Sequence, residues 1–419
     1  MSKPLYVISS PFDTYSGYGA RARDYIKAVI ETDKYEVKLM SQRWGETAWQ
    51  FCKENPEWSF LYNYKLKNNK LDTKPDIWTQ VSIPNEFQPV GKYNIGLTAG
   101  IETTMCDAAW IEGLNRMDMT LVSSEHAKKV FEDLQFEKKE GDKVIGMVKS
   151  EKPIKVLFEG ANLDVYKPIK QSEISTIDLT SIKESFCYLF VGHWMQGNYG
   201  HDRKNVGVLV KSFLETFKNK KKRPALILKA SKGSATYMSR EAILKQINQI
   251  KDSVKGNLPN IYLMTGEFSD SEINELYNHS KVKAMVSLTR GEGFGRPLLE
   301  FSLVNKPIIA SNWSGHVDFL SPEFTYLLPG KLENVDQSSA NNWIKKEAKW
   351  FQVDAPTAMQ VMTDVFNGYK KSTELAKRQG YYARTNFSYE KMRDKLDGIL
   401  SSSIPSFPKE MTLNLPTLQ

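Results

Sequence analysis

The sequence predicts an α/β protein made of two doubly wound domains in tandem. Short β-like runs alternate with helical patterns through most of the chain, which is typical of parallel α/β units. The length of 419 residues exceeds what one hydrophobic core usually supports. A glycine-rich stretch, GEGFGRPLLE, follows one predicted strand and opens a helix. Open parallel sheets bind ligands at such positions, so we expect the functional site in a cleft between two domains.

The strands of both sheets are predicted from short apolar runs. In the first half these runs are LYVI, YEVKLM, DIWTQV, YNIGL, MTLVSS and IKVLF. In the second half they are FCYLFVG, PALILK, IYLMTG, KAMVSL, PIIAS and TYLL. Helices are predicted between them, notably over residues 18–30 and 125–134. After Leu328 the pattern is purely helical to Leu400, and residues 403–419 predict an extended tail.

The domain boundaries follow from a linker predicted at residues 169–184. The surrounding stretch is polar, lacks a hydrophobic period and follows Pro168. The first Rossmann-like domain then covers residues 1–168 and the second covers residues 185–385. Residues 386–419 are predicted to be a C-terminal helix and tail that pack back on the first domain.

Composition narrows the class of protein. No run of 18 apolar residues is present, and the four-residue run from Leu5 to Ile8 is too short for a signal peptide, so we expect a cytoplasmic protein. Three widely spaced cysteines argue against a disulfide framework or a thiolate metal site. The net charge of +8 suits contact with phosphates or with an anionic surface, without distinguishing them.

The stretch GEGFGRPLLE predicts an anion site flanked by two carboxylates. Its glycines allow the backbone to approach a ligand closely, and Pro297 suits the first turn of a helix. Free N–H groups at the helix start attract an anion, whereas Glu292 and Glu300 would repel it. Ionised carboxylates accept hydrogen bonds from hydroxyl groups, so the pattern favours a pyrophosphate between two sugars, as in a nucleotide sugar. The alternative is a tight turn with two solvated glutamates.

Two further loops carry candidate anion-binding residues. Arg203 and Lys204 come at the start of a helix, where cations oppose the helix dipole, which suggests that they serve a bound anion. Gly17 and Gly19 follow the first strand and precede a helix. Their spacing is not GxGxxG, and the second strand has no acid at its end, so a dehydrogenase is not favoured.

Metal and nucleophile motifs are missing from the sequence. It contains no Asp-x-Asp, no HExxH and no GxSxG. We therefore expect chemistry that is independent of a metal and uses no cofactor besides the nucleotide-sugar donor.

The chain resembles the retaining nucleotide-sugar glycosyltransferases of GT-B fold, the group 1 or family 4 type. RGEGFGRPLLEFSLVNKPIIASNWSG is similar to their two-glutamate signature, with seven residues between Glu292 and Glu300. VLFEGANLDVYKP resembles their interdomain segment, and RKNVGVLVKSFLETF their phosphate-binding helix. The resemblance covers nearly the whole chain. It implies a GT-B fold in which residues 1–168 bind the acceptor and residues 185–385 bind the donor, expected to be a UDP-sugar.

The resemblance also implies roles for individual residues. Glu292 would contact hydroxyls of the donor sugar, and Arg203 and Lys204 would neutralise the departing diphosphate. The implied donor-binding residues are Gly17, Gly19, Gly293, Phe294, Gly295 and Glu300. The reaction implied is hexosyl or pentosyl transfer with retention, in which the leaving diphosphate helps to deprotonate the acceptor. The chain departs from the family in having His193 after the strand glycine, and Gly100 and Glu102 where many relatives have a histidine.

For the acceptor, the first residues and the stretch VSIPNEFQPVGKYNIGLTAGIETT resemble glycosyltransferases of T-even-like tailed phages. Such enzymes imply hydroxymethylated pyrimidine in DNA as the acceptor, with the host cytoplasm as the location. Arg21, Arg23 and Glu102 are then the acceptor-side candidates, the two arginines through DNA phosphates. A lipid-linked or cell-surface glycan explains the positive charge almost as well, through peripheral contact with a membrane. A catalytically silent sugar- or nucleic-acid-binding module and a nucleotide-sugar epimerase are further alternatives.

Overall fold

The structure, a computed structural model, describes residues 3–141, 143–233 and 236–407. The strands are β1 (Leu5–Ser10), β2 (Glu36–Ser41), β3 (Ile77–Val81), β4 (Tyr93–Thr98), β5 (Met119–Val122), β6 (Gln135–Glu140), β7 (Lys143–Lys149), β8 (Ile154–Val156), β9 (Cys187–His193), β10 (Ala225–Ser231), β11 (Ile261–Met264), β12 (Val282–Ser287), β13 (Ile308–Ser311), β14 (Tyr326–Leu328), β15 (Gly330–Asn334) and β16 (Lys349–Val353).

The α-helices are α1 (Gly17–Glu31), α2 (Phe51–Glu54), α3 (Ala108–Arg116), α4 (Glu125–Asp133), α5 (Val206–Phe217), α6 (Tyr237–Asp252), α7 (Asp270–Asn278), α8 (Arg296–Ser302), α9 (Ala355–Asn367), α10 (Tyr369–Asn386) and α11 (Tyr389–Ser403). Short 3-10 helices lie at Pro56–Tyr64, Lys67–Asn69, Pro84–Glu86, Gln171–Glu173 and Gly315–Asp318.

Two parallel six-stranded sheets form the framework. The first has the order β2-β1-β3-β4-β5-β8, and the second has the order β11-β10-β9-β12-β13-β14. In each sheet the strand order reverses beside the first strand of the domain, β1 or β9, and loops at such reversals form binding crevices. This arrangement confirms the predicted α/β class with two doubly wound domains. Every strand predicted from an apolar run is present in one of the two sheets.

The chain after Leu328 is not purely helical, contrary to the prediction. β15 and β16 form an antiparallel hairpin there, with Leu332 opposite Phe351. The run NNWIKKEAKWF has a helix-like spacing of apolar residues, but Trp350 is fully buried in a small core with Val335 and Ala348. Burial of this indole fixes the extended conformation despite the local pattern. A second hairpin, β6–β7, was also not predicted, because both of its strands are largely exposed and lysine-rich.

The C-terminal helix crosses back to the first sheet. Tyr389 Oη of α11 donates to Glu31 at 3.0 Å, and Lys34 Nζ lies 2.5 Å from Asp397. Residues 408–419 of the predicted tail lie outside the described part of the chain. The predicted linker lies against the second domain, where the backbone N–H groups of Thr176 and its neighbours donate to Glu275. No helix in the described residues is long and apolar enough to cross a membrane.

Candidate active site

The candidate site lies where strand ends of the second sheet face the first domain. The loop after β12 carries Glu292, and the segment before α5 carries Arg203 and Lys204. Lys204 Nζ lies 2.5 Å from Glu292 Oε1, and Arg203 Nη1 lies 3.4 Å from Glu292 Oε2. Arg203 also donates to the carbonyl of Gly291 at 2.8 Å. The structure thus brings together the three residues to which the resemblance assigns catalysis, although 88 residues separate Lys204 from Glu292.

These charges determine the protonation of Glu292. Burial opposes ionisation, but Lys204 and Arg203 outweigh it and lower the pKa of Glu292 to about 2. The pKa of Lys204 is lowered by burial, against the opposite effect of Glu292. The site therefore holds an ionised carboxylate between two cations. Glu102 also lies 3.9 Å from Arg203, so two cations and two acidic side chains meet at the site.

The glycine loop presents backbone donors. In the described part of the chain, no hydrogen bond is made by the N–H groups of Gly293, Phe294 and Gly295. Gly295 has a left-handed conformation with φ of 98°, which places it before α8 without strain. Consecutive free N–H groups around a left-handed residue bind anions. The side chain of Phe294 is buried against Phe319 at 4.8 Å between ring centroids, so only its backbone faces a ligand.

Two of the glycines serve the contact between the domains. A Cβ at Gly291 would lie 1.9 Å from the carbonyl oxygen of Glu102, and one at Gly293 would lie 2.6 Å from that of Ala99. From the sequence, these glycines were predicted to let the backbone approach a ligand closely. The structure instead shows the loop after β4 in that space, so the glycines first allow the two domains to meet.

His193 lies at the end of β9 beside the cations. Its Nδ1 lies 2.8 Å from Ser231 Oγ, at the end of the neighbouring strand β10. Desolvation in the cleft and the cations Lys204, Arg203 and Lys229 lower the pKa of His193 to about 4, although the ring keeps solvent-exposed surface. The ring is therefore neutral at pH 7 and acts as a hydrogen-bonding group.

Glu300 lies in a different environment from Glu292. Its Oε1 accepts from Arg296 Nε at 2.8 Å, and the same guanidinium pairs with Asp24 of α1 at 2.5 Å and lies 3.9 Å from Glu159. Burial, incompletely offset by Arg296, raises the pKa of Glu300 to about 8, and Asp270 and Asp24 act in the same direction. Three carboxylates share one guanidinium. The structure places Glu300 in this interdomain cluster.

In the first glycine loop, one of the two glycines has open space around it. A Cβ at Gly17 would meet nothing within 4 Å, whereas one at Gly19 would lie 2.4 Å from the carbonyl of Thr14. Gly19 is thus required by packing inside the turn, and only Gly17 faces open space. Between them, Tyr18 Oη contacts Thr98 Oγ1 at 2.9 Å and accepts from the N–H of Ala99 at 3.1 Å. This tyrosine connects the start of α1 to the loop that touches Gly293.

The structure contradicts the prediction that Arg21 and Arg23 contact DNA phosphates. Both guanidinium groups are buried. Arg21 donates to the carbonyl of Leu157, and Arg23 donates to two carbonyls at 2.9 and 3.0 Å while stacking on Phe51 at 3.4 Å. Arg23 thus holds the turn after β1, and Arg21 holds α1 against the segment after β8. Glu102, the third acceptor-side candidate, remains at the cleft, 3.9 Å from Arg203.

Several residues at the site were not identified from the sequence. Arg296, Asp24 and Glu159 form the interdomain cluster, and Lys229 and Ser231 end β10 beside His193. Polar residues at the carboxyl end of the apolar run ALIL were a usable signal for Lys229 and Ser231. The sequence held no comparable signal for Asp24, because its partner is 272 residues away. Within the described residues, no group of three histidine, cysteine or acidic residues is placed to hold a metal ion.

Comparisons with known proteins agree with this architecture. Residues 248–347, which include the glycine loop and α8, match the family model Glycosyl transferases group 1. A glycosyltransferase from Rickettsia africae has a TM-score of 0.62 at 14% identity, with 96% of this chain and 99% of that chain covered. Sucrose-phosphate synthase from Thermosynechococcus elongatus has a TM-score of 0.62 at 12% identity, with 96% and 98% covered. The Anabaena protein HepE, solved with UDP and glucose, has a TM-score of 0.56 at 12% identity, with 95% and 100% covered.

No curated protein matches the chain. The structural similarity confirms the GT-B fold, and together with the matched family model it supports a glycosyltransferase.

Proposed function

We propose that this glycosyltransferase moves a sugar from a nucleoside diphosphate sugar to an acceptor hydroxyl with retention of configuration. One observation carries the proposal: ionised Glu292 is held between Lys204 and Arg203 beside three free backbone N–H groups. The carboxylate suits sugar hydroxyls, and the cations and N–H groups suit a diphosphate. UDP is the favoured nucleotide, since HepE, which has the same fold, was solved with UDP and glucose.

The charges also suit the chemical step. Negative charge develops on the leaving diphosphate, and Lys204 and Arg203 are already in place to stabilise it without reorganisation. Glu292, with a pKa of about 2, is too weak a base to deprotonate an alcohol efficiently at neutral pH. This favours deprotonation by the leaving diphosphate on the same face of the sugar, which gives retention. The chemistry is proposed to need neither a metal nor a cofactor.

For the acceptor we favour hydroxymethylated pyrimidine in DNA. With Arg21 and Arg23 buried, support comes from the net charge of +8 and from an aromatic face on the first domain. Trp44 is partly exposed and stacks on Tyr18, with 4.0 Å between ring centroids, and Arg43 beside it is exposed. Aromatic and guanidinium groups provide stacking surfaces for an extruded base. The same face also suits a sugar ring, so a glycan acceptor is the alternative.

A product assay tests the proposal. The protein is incubated with UDP- and GDP-sugars and either hydroxymethylcytosine DNA or glycan acceptors, with and without a chelator, and products are identified by mass spectrometry and by NMR of the new linkage. We expect a sugar adduct on DNA with the anomeric configuration of the donor and full activity with the chelator. Transfer to a glycan alone would refute the DNA acceptor, and strict dependence on a divalent metal would refute the metal-free mechanism. No transfer with any donor would favour a silent binding module.

A further inference from the structure

We infer that the second domain contains a separate carbohydrate-binding pocket between α5, α6 and the loop that follows β9. The cavity has a volume of about 430 Å³ and includes Trp194, Tyr199 and Lys211 among its lining residues. Small-molecule pockets are usually about 300–1,000 Å³, so this one can hold one or two sugar rings. The inference does not depend on the proposed reaction, because none of Glu292, Lys204 and Arg203 lines the pocket.

The pocket is built by a loop that is held in place. Gln196 Nε2 donates to the carbonyl of Ser338 at 3.2 Å, and the N–H of Asn198 donates to Ser338 Oγ at 2.9 Å. Gly197 has a left-handed φ of 146°, and a Cβ there would lie 2.5 Å from Ser339 Oγ. The loop is thus fastened to the connection between β15 and β16 and has a defined shape.

Two helix faces supply the opposite walls. On α6, Gln246, Gln249 and Ile250 line the cavity at a spacing of three and four residues, which puts them on one face. On α5, Gly207 and Lys211 line it four residues apart. A Cβ at Gly207 would lie 3.3 Å from the Tyr199 ring, so the glycine lets this ring rest against the helix.

Several polar side chains of this pocket have no partner among the residues that the structure describes, although Asp202 in its lining accepts from the N–H of Val206 at 3.1 Å. Within the described residues, the side-chain amides of Asn198, Gln246 and Gln249 make no hydrogen bond, and Gln246 Oε1 is buried. Lys211 makes no ion pair in the same part of the chain and only faces the Tyr199 ring at 5.6 Å. A buried acceptor without a partner costs about 1–3 kcal/mol, so a ligand that donates to it gains affinity.

The chemistry of these groups fits a saccharide. Side-chain amides donate and accept at once, which matches neighbouring hydroxyls on a sugar ring. Tyr199 is 52% exposed and offers its ring to the C–H side of a sugar, and the buried Trp194 also lines the cavity. Lys211 adds one basic group and Asp202, which also lines the cavity, adds one acidic group, so the pocket suits neutral hydroxyls better than a polyphosphate.

Ligand-observed saturation-transfer NMR on the full-length protein tests the pocket. The probes are the methyl α-glycosides of glucose, galactose and N-acetylglucosamine, with uridine as a nucleoside probe. We expect at least one glycoside to bind and its affinity to fall about tenfold or more in the double variant Gln246→Leu/Gln249→Leu, because two hydrogen bonds are lost. Tyr199→Ala, which changes the loop after β9 and not α6, should weaken binding of the same glycoside.

Two controls locate the signal. Asn248→Leu changes an exposed amide on the same helix that does not line the cavity, and should leave binding unchanged. Glu292→Gln alters the candidate active site and should also leave it unchanged. The inference is wrong if the signal survives both pocket variants, if it is lost in Glu292→Gln, or if no glycoside binds the folded protein. Binding of uridine that is lost in the pocket variants, with no glycoside bound, would overturn the saccharide class. Thermal unfolding by circular dichroism confirms that each variant is folded.

Discussion

At the scale of single residues, Glu292 and Glu300 have opposite protonation states at neutral pH. Two cations keep Glu292 ionised, with a pKa of about 2. Burial and neighbouring carboxylates keep Glu300 largely protonated, with a pKa of about 8, although Arg296 contacts it. Seven residues separate them along the chain, so their difference comes from the side chains that surround each one. Glu292 can accept hydrogen bonds from hydroxyls, whereas protonated Glu300 can also donate one.

The raised pKa of Glu300 predicts a pH-dependent cost to stability. An unfolded glutamate titrates near 4.5 and the folded one near 8, so the folded state binds more protons between these values. The stability contributed by this group is present below pH 4.5 and is lost as pH rises toward 8. Urea unfolding should show wild type losing roughly 2–4 kcal/mol relative to Glu300→Gln between pH 5 and pH 8. If the unfolding free energy of the two proteins changed equally with pH, the raised pKa of Glu300 would be contradicted.

Lys204 is expected to act in the transition state. Lys204→Ala should lower kcat by roughly 10²-fold or more with a smaller change in donor KM, because charge on the diphosphate develops during the step. Steady-state kinetics with the active donor measure this. Lys220→Ala removes an exposed lysine just beyond the far end of α5 and should have no effect. A loss confined to KM would assign Lys204 to ground-state binding instead.

Arg23 is expected to contribute to stability and not to contact with an acceptor. Arg23→Met leaves the carbonyls of Phe12 and Thr14 without their donor, so unfolding free energy should fall by roughly 2–4 kcal/mol. Lys27→Met on the same helix, which is more exposed, is the matched control. Weaker DNA binding with unchanged stability would restore the phosphate-contact interpretation.

At the scale of secondary-structure elements, α1 and α8 form the main ionic contact across the cleft. Arg296 Nη1 of α8 lies 2.5 Å from Asp24 of α1, while its Nε holds Glu300 on its own helix. One guanidinium therefore connects the domain contact to a residue expected to bind the donor. Asp24 and Glu300 are buried and the Arg296 side chain is only 18% exposed, so removing one partner leaves poorly compensated charge.

Arg296→Leu should loosen the contact between the two domains and weaken binding of the donor. We expect a larger radius of gyration in small-angle scattering and an increase in donor KM of about tenfold or more, since Glu300 loses its positioning partner. Asp24→Asn should reproduce the scattering change with a smaller effect on KM. Arg240→Leu, an exposed arginine on α6, is the control. Unchanged scattering in both cleft variants would refute a role of this contact in closure.

At the scale of the whole molecule, the domains meet over the glycine loop itself. The carbonyls of Ala99 and Glu102 fill the space that side chains at positions 293 and 291 would need. Further contacts join Thr104 to Lys349 of the unpredicted β16, with bonds of 2.9 and 2.8 Å, and Lys345 to Asp107 at 2.6 Å. The cleft is therefore closed, and this fit requires glycine, which has no side chain, at positions 291 and 293.

Gly291→Ala should impair closure while each domain stays folded. The new methyl group collides with the backbone of Glu102, which cannot move aside as a flexible side chain could. We expect kcat/KM to fall about tenfold or more with little change in the unfolding transition. Gly398→Ala adds a methyl group that meets nothing within 4 Å and serves as the control. Full activity of Gly291→Ala would show that the closed contact is dispensable.

The sequence by itself determined the two sheets, since buried parallel strands read as apolar runs, and it also indicated the loops at their ends. It singled out Glu292, Arg203 and Lys204 as candidates, because glycines, cations and acids stand out against apolar strands. Only the tertiary structure decided which arginines face solvent and which support the backbone, as Arg21 and Arg23 show. It also decided the extended conformation around Trp350, the cluster of Arg296 with Asp24, and the pairing of Gly291 with Glu102. These depend on contacts between residues far apart in the chain, which local periodicity does not encode.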